Sequence, residues 1–504
     1  MAEPTATDAY DDLDGVGLAD LVRRGEVSPL ELVDAAIARV EARNPALNAV
    51  VHRSFERARD AARGDLPAGP FRGVPFLLKD LNAEDAGQPS THSTKLLTGF
   101  RPDHDAELVA RYKRAGLVII GRTNTPEFGI YGVTEPALRG PTRNPWDPGH
   151  TPGGSSGGSG AAVAARMVPM AHAGDGGGSI RIPASHCGLV GLKPTRARNP
   201  AGPDAGERWG GFVSEHVLTR SVRDAAAMLD ATAGPDPGAP YQVRPPERPF
   251  LAEVGADPGK LRIAFTTRAL FGKETHPDCV AAVEDAARLA ASLGHEVEEA
   301  HPTFDREALV RAYFAVVAAG TARGVAFAAE KAGVRPRARD FEPATWLLKS
   351  IADKLTATEY AAAIDLMQRT ARDLVPFFAR YDVLLTPTTA FPPAPIGAFA
   401  PKGSERFLLG VLRAFPLRAL LLKALDTMAE DALAATPNTM LFNMTGQPAI
   451  SLPLSWNGAN LPIGTQWVGR FGDEATLLRL AASLEAARPW AGRVPPGLSA
   501  PANP

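Results

Sequence analysis

Cysteine is nearly absent from this 504-residue chain, which has only Cys187 and Cys279. Two distant cysteines exclude the paired spacing of a zinc site or an iron–sulfur cluster. They fit a reducing cytoplasm, where thiols stay free. Neither sign of charge is in excess. A net charge of -2 offers no broad basic surface for nucleic acid or an anionic membrane. Uncharged apolar runs stop short of the ~18 residues of a membrane-spanning helix. The acidic, polar start, Met1 to Asp12, is not a secretory signal and reads as a loose tail. Histidine runs out early: the last of the ten is His301. A Ser-His-Asp enzyme of the nucleophile-elbow type needs a catalytic His late in the chain, so that chemistry is disfavoured. No G-x-x-x-x-G-K-[ST] phosphate loop occurs, and nothing implies a metal or an organic cofactor.

What remains is ordinary globular composition, with 45% hydrophobic and 22% charged residues. Strand and helix patterns alternate along it. Ser28, Pro29 and Glu31 form a capping box that opens a helix, which Asn44-Pro45 is expected to end. A second helix covers 54–63. Val74 to Leu78 is a buried strand whose end carries Lys79. Side chains alternate along a strand, so Lys79 and Asp80 need not pair. A helix over 106–115 and a strand over 117–121 follow, and this order implies an α/β architecture. Later helices are expected at 161–166, 221–233, 276–293, 307–330, within 343–380 and at 473–488. Later strands are expected at 261–265, 296–298, 381–387, 448–453 and 464–468. The 407–425 stretch is apolar with Arg413, Arg418 and Lys423 at intervals of five and a kinking Pro416. It reads as a surface helix pair or as a lid.

Two glycine clusters carry the chemistry. One is Gly153-Gly154-Ser155-Ser156-Gly157-Gly158-Ser159-Gly160. The other is Gly174-Asp175-Gly176-Gly177-Gly178-Ser179. Amide cleavage needs an activated nucleophile, a base and donors for the developing oxyanion. Successive glycines let backbone N–H groups converge on one point. A lysine serves as base only when neutral, which desolvation at the end of an apolar strand favours. His172 and His186 lie near the clusters and read as satisfied structural histidines. Cys187 reads as a small buried hydrophobe.

These clusters, with 187–195 (CGLVGLKPT), 73–80 (GVPFLLKD), 123–127 (TNTPE) and 442–449 (FNMTGQPA), resemble the amidase signature family from about residue 13 to 490. The resemblance implies a large twisted mixed β-sheet flanked by helices on both faces. It implies one amidase domain over 1–504, with 1–12 a tail, 73–195 the signature core and 400–440 a lid or pocket insertion. It further implies Ser179 as nucleophile, Ser155 as proton relay after a cis peptide, and Lys79 as neutral base. The N–H groups of Gly176, Gly177, Gly178 and Ser179 would form the oxyanion hole. Ser156, Asp175 and Arg181 would hold the loops. Many relatives carry Thr or Ile where this chain has Gly176, which loosens the turn without removing a donor.

Within the family, 142–147 and 158–165 resemble hydrolases of nylon cyclic dimers and related aryl or alkyl amidases. Ile130, Tyr131, Val317 and its neighbours from 313, and the 400–440 segment are expected to line an apolar pocket. A bulky uncharged amide is the expected small-molecule substrate, with carbamates or esters as side activities. The alternative is the glutamine-hydrolysing subunit of a tRNA-dependent amidotransferase, which works with a partner subunit. Homodimers are common in the family, and nothing in the sequence decides the point.

Overall fold

Eleven strands pair into one mixed sheet: β1 (Val50–Arg53), β2 (Pro75–Lys79), β3 (Val118–Thr123), β4 (Met170–Asp175), β5 (Val190–Lys193), β6 (Ser214–Thr219), β7 (Arg262–Phe265), β8 (Glu296–Glu299), β9 (Val383–Pro387), β10 (Ala449–Trp456) and β11 (Pro462–Gly469). The computed structural model describes residues 10–272, 274–400 and 436–498, with 403, 417–421, 423–425 and 433 between them. The spatial order is β1-β3-β2-β4-β6-β5-β10-β11-β9-β7-β8. β3, β2 and β4 run parallel near one edge, and β9, β7 and β8 run parallel at the other. Antiparallel pairs fill the middle.

Alternation along the strands packs both faces of the sheet. Ile263, Val383, Leu385, Ile450 and Trp467 join a core with the helices Val222–Thr232, Pro277–Ser292 and Glu474–Ala487. Their neighbours Ala264, Leu384, Ala449 and Val468 join a second core with the helices Arg306–Lys331, Pro343–Ala352 and Ala357–Asp373. Successive side chains on a strand point to opposite faces, so one apolar run serves two layers.

Most of the expected elements form, with instructive differences. The capping box at Ser28 is present, with Glu31 N–H donating to Ser28 Oγ at 3.2 Å. The helix does not stop at Pro45 but runs on to Leu47. Pro45 loses one backbone bond, and Asn48, at φ 51, closes the helix by donating its N–H to Asn44 O at 2.8 Å. The helix expected over 161–166 spans Gly157–Ala164 instead, beginning inside the glycine cluster. It is buried all round, where glycine's small size outweighs its poor propensity. Residues 10–12 are not a loose tail: Tyr10 is fully buried and donates its hydroxyl to Leu32 O at 3.3 Å. Residues 1–9 and most of 400–440, including most of 407–425, lie outside the described residues.

One described helix, Arg306–Lys331, is long and apolar enough to cross a membrane by length and composition, although uninterrupted apolar runs had excluded one. Its most apolar window is 56% buried inside the protein, and Leu309, Val316 and Val317 belong to the second core. Part of its apolar surface therefore packs inside the protein.

Trp467 is 1% exposed and donates its ring N–H to Thr465 Oγ1 at 3.1 Å. Trp467→Ala should cost about 3–5 kcal/mol through the cavity it leaves. A fall in the urea unfolding midpoint checks this.

Candidate active site

Parallel pairing brings the pieces of the site together. β2 and β4 pair with Leu77 beside Ala171, so the end of β2 at Lys79 lies beside the end of β4 at Gly174 and Asp175. Loops that leave the carboxyl ends of adjacent parallel strands form a natural crevice. Lys79 Nζ donates to Ser155 Oγ at 2.7 Å and to Gly174 O at 3.4 Å. Ser156, where the helix Gly157–Ala164 begins, ties the two glycine clusters. Its hydroxyl donates to Gly174 O at 3.2 Å and accepts Gly174 N–H at 3.3 Å. The Gly154–Ser155 peptide is cis. Asp80 points elsewhere, accepting Thr91 N–H at 2.9 Å, so the two neighbours do not pair.

Lys79 is 1% exposed. Burial lowers its affinity for a proton, the charges of Glu215 and Asp175 oppose this, and the balance is about 8.

Asp175 and Arg181 are both fully buried and hold the second cluster. Asp175 Oδ1 accepts from Gly178 N–H at 2.6 Å and Arg181 Nη2 at 2.9 Å, and Oδ2 accepts from Ile180 N–H at 3.1 Å. Arg181 Nη1 donates to Thr439 O at 2.8 Å and Gln466 Oε1 at 2.7 Å, and its Nη2 also donates to Asn443 Oδ1 at 2.6 Å. Burial works against the Asp175 charge, but Arg181 outweighs it and holds the carboxyl far below the usual carboxylate range. Gly178 sits at φ +135, and a Cβ there would meet Thr439 Oγ1 at 2.3 Å. Only glycine fits.

This clamp occupies one of the four N–H groups expected as oxyanion donors. The Gly178 N–H is committed to Asp175, because the carboxylate bends the loop around itself. The N–H groups of Gly176, Gly177 and Ser179 have no acceptor among the described residues.

Lys79, Ser155, Ser179, Gly176 and Gly177 all line one cavity of about 1490 Å³. Ile130, Tyr131 and Val317 line it too, as do Tyr313, Phe314, Leu433 and Met440. Ser156, Asp175, Gly178 and Arg181 do not reach it; they hold its wall from behind.

The two histidines part company. His172 has both ring nitrogens bonded: Nδ1 accepts Lys79 N–H at 3.3 Å and Nε2 bonds Glu215 Oε2 at 3.1 Å. His186 is not satisfied, since neither ring nitrogen has a partner among the described residues. Its burial without a counter-charge pushes its proton affinity down to about 3. Cys187 is buried, as expected. Glu215, Asn443, Thr439 and Gln466 were not singled out from sequence. Only Asn443 lay in a quoted motif. Among the described residues, no group of three or more His, Cys, Asp or Glu side chains is placed to hold a metal.

Breaking a buried ion pair strands a charge. Arg181→Met should therefore lower stability by about 3–5 kcal/mol in chemical denaturation. The Asp175 carboxyl is depressed in the folded state, so its contribution is present above about pH 4, the unfolded value. It is lost as pH falls below that, and a pH series of unfolding midpoints in wild type and Asp175→Asn should converge at the acid end.

Comparison with known proteins agrees with this geometry. The amidase family model matches residues 31–478. A 6-aminohexanoate-cyclic-dimer hydrolase of Paenarthrobacter ureafaciens is 40% identical over 490 residues, covering 96% of this chain and 96% of that protein. A solved 6-aminohexanoate cyclic dimer hydrolase complexed with substrate has a TM-score of 0.85 at 39% identity, covering 96% of this chain and 99% of that one. A bacterial aryl acylamidase gives a TM-score of 0.83 at 27% identity, covering 95% and 97%. Sheet, signature loops and relatives together place the chain in the amidase signature family, as an amide-bond hydrolase.

Proposed function

We propose that Lys79, Ser155 and Ser179 form an acyl-transfer triad acting on a bulky uncharged amide, linear or cyclic. The observation that carries this is the 2.7 Å hydrogen bond from Lys79 Nζ to Ser155 Oγ, on the cavity wall that also holds Ser179. Neutral Lys79 takes the proton of Ser155 while Ser155 takes that of Ser179 Oγ. Ser179 Oγ adds to the substrate carbonyl carbon. The oxyanion is met by the free N–H groups of Gly176, Gly177 and Ser179, a type of stabilisation worth about 3–4 kcal/mol per donor. The C–N bond then breaks, and its nitrogen regains the proton through Ser155 and leaves as an amine. Water attacks the Ser179 ester, passes its proton along the same path, and releases the acid and the free serine hydroxyl.

The substrate class rests on the cavity and on the relatives. The cavity exceeds the ~300–1,000 Å³ of most small-molecule sites, and Phe100, Phe128, Phe314, Phe327, Leu347 and Leu348 line it. Relatives named for cyclic-dimer and aryl-amide cleavage favour the same class. Carbamates and esters share the acyl-enzyme route and are expected as side activities.

The test is turnover by the purified protein alone. The panel is an aryl anilide, linear and cyclic aminohexanoate oligomers, an aryl carbamate and glutamine. Cleavage of an anilide or oligomer should fall by on the order of 10⁶-fold in Ser179→Ala. Turnover that survives this substitution overturns the triad. Activity on glutamine alone, or only with a second protein present, favours the amidotransferase reading. Protonated Lys79 cannot accept a proton, so kcat/KM should rise with pH along a limb centred near about 8.

A further inference from the structure

Glu215 is a buried carboxylate, packed against Gly174 and bonded to His172, that the reaction above does not use. Register puts it there. β4 and β6 are antiparallel, with Gly174 opposite Glu215. Cross-strand partners share a face, and so do residues two apart on one strand, so Glu215, Gly174 and His172 lie together. Glu215 Oε2 sits 2.2 Å from the point a Cβ on Gly174 would occupy. The carboxylate thus packs against the residue whose carbonyl accepts from Lys79 Nζ at 3.4 Å.

The hydrogen bonds form a chain. Lys79 N–H donates to His172 Nδ1 at 3.3 Å, which leaves the ring proton on Nε2 for Glu215 Oε2 at 3.1 Å. Asn82 Nδ2 donates to Glu215 Oε1 at 3.2 Å. Glu215 is 8% exposed, on the cavity wall.

We propose that Glu215 is a positioning residue for the amidase reaction: its charge sets the pH at which Lys79 becomes neutral, and through His172 it fixes the end of β2. This rests on the reading of Lys79 as base. Several other groups face the pair. Asp175 on β4 adds negative charge but is matched by Arg181. Arg208, from the loop before β6, shares the cavity wall with Glu215. Arg122 on β3 spends its guanidinium on Lys79 O and Ala83 O at 3.3 and 2.7 Å. Tyr112 turns its ring edge to His172 at 5.9 Å. Of the two carboxylates whose charge acts on Lys79, Asp175 is paired with Arg181, and Glu215 has no Lys or Arg bonded directly to it among the described residues. Burial resists its ionisation, and the His172 bond overcomes this and keeps the carboxyl below its ordinary range.

The experiment is the pH profile of kcat/KM for the purified enzyme and its variants on the best amide of the panel. Glu215→Gln keeps the shape, and an Asn82 amide flip keeps both hydrogen bonds. Its acid limb should move about one unit to lower pH. Glu215→Asp keeps the charge and should leave the limb near its wild-type position. Glu215→Ala vacates space onto the cavity and should reproduce the Gln shift, which covers a Gln variant that does not fold. A limb unmoved in both uncharged variants, or moved equally in Glu215→Asp, overturns the inference. Lys79→Ala separates the two readings: turnover that survives it removes Lys79 as base. Loss of turnover there with an unmoved Glu215→Gln limb removes only the role of Glu215.

Discussion

The chemistry proposed for this molecule depends on an amine kept out of water. An exposed lysine stays protonated across the physiological range and cannot accept a proton. Lys79 escapes this because β2 is buried along its whole length, and the amine emerges only at the strand's end. Desolvation alone would strip the proton too readily, and the neighbouring carboxylates restore part of the affinity. The sheet supplies both terms. It buries the strand, and it brings the ends of β4 and β6 that carry Asp175 and Glu215 to the same end of the sheet.

A second buried charge serves geometry. Asp175 and Arg181 give up solvent and recover it through five partners: two loop N–H groups, Thr439, Asn443 and Gln466. A buried pair of this kind adds little net stability, and its value lies in specifying one conformation. Here that conformation is a tight loop with the Gly178 N–H turned inward and those of Gly176, Gly177 and Ser179 without an acceptor among the described residues. Thr439, Asn443 and Gln466 come from the far end of the chain, so a turn, the short helix Leu441–Thr445 and β11 brace a loop encoded far earlier.

Much of this was legible in the sequence, for physical reasons. Apolar runs such as 74–78 and 383–385 announce buried strands, and Ser28-Pro29 announces a helix start. The glycine clusters and their order identified the family and singled out Lys79, Ser155 and Ser179, which line one cavity. Other features were hidden because they are matters of partnership. Pro45 looks like a stop but is absorbed by a cap at Asn48. The glycines before Ala161 look too poor in helix propensity to join the helix, yet they do so when every side is packed. Four glycine and serine N–H groups look equivalent until a carboxylate claims one of them. His172 and His186 look alike, yet one is bonded at both nitrogens and the other at neither. The partners that tertiary packing brings together decide such differences, and they cannot be read from residue spacing.

The central claim is that Ser179 carries the acyl group while Ser155 and Lys79 move protons. Intact-protein and peptide mass spectrometry, on enzyme acid-quenched during turnover of a slowly hydrolysed amide or ester, tests it most directly. The account predicts a mass increase equal to the acyl group, located on the peptide containing Ser179 and absent in Ser179→Ala. An acyl group on Ser155, or steady turnover of the slow substrate with no adduct at any residue, would contradict it.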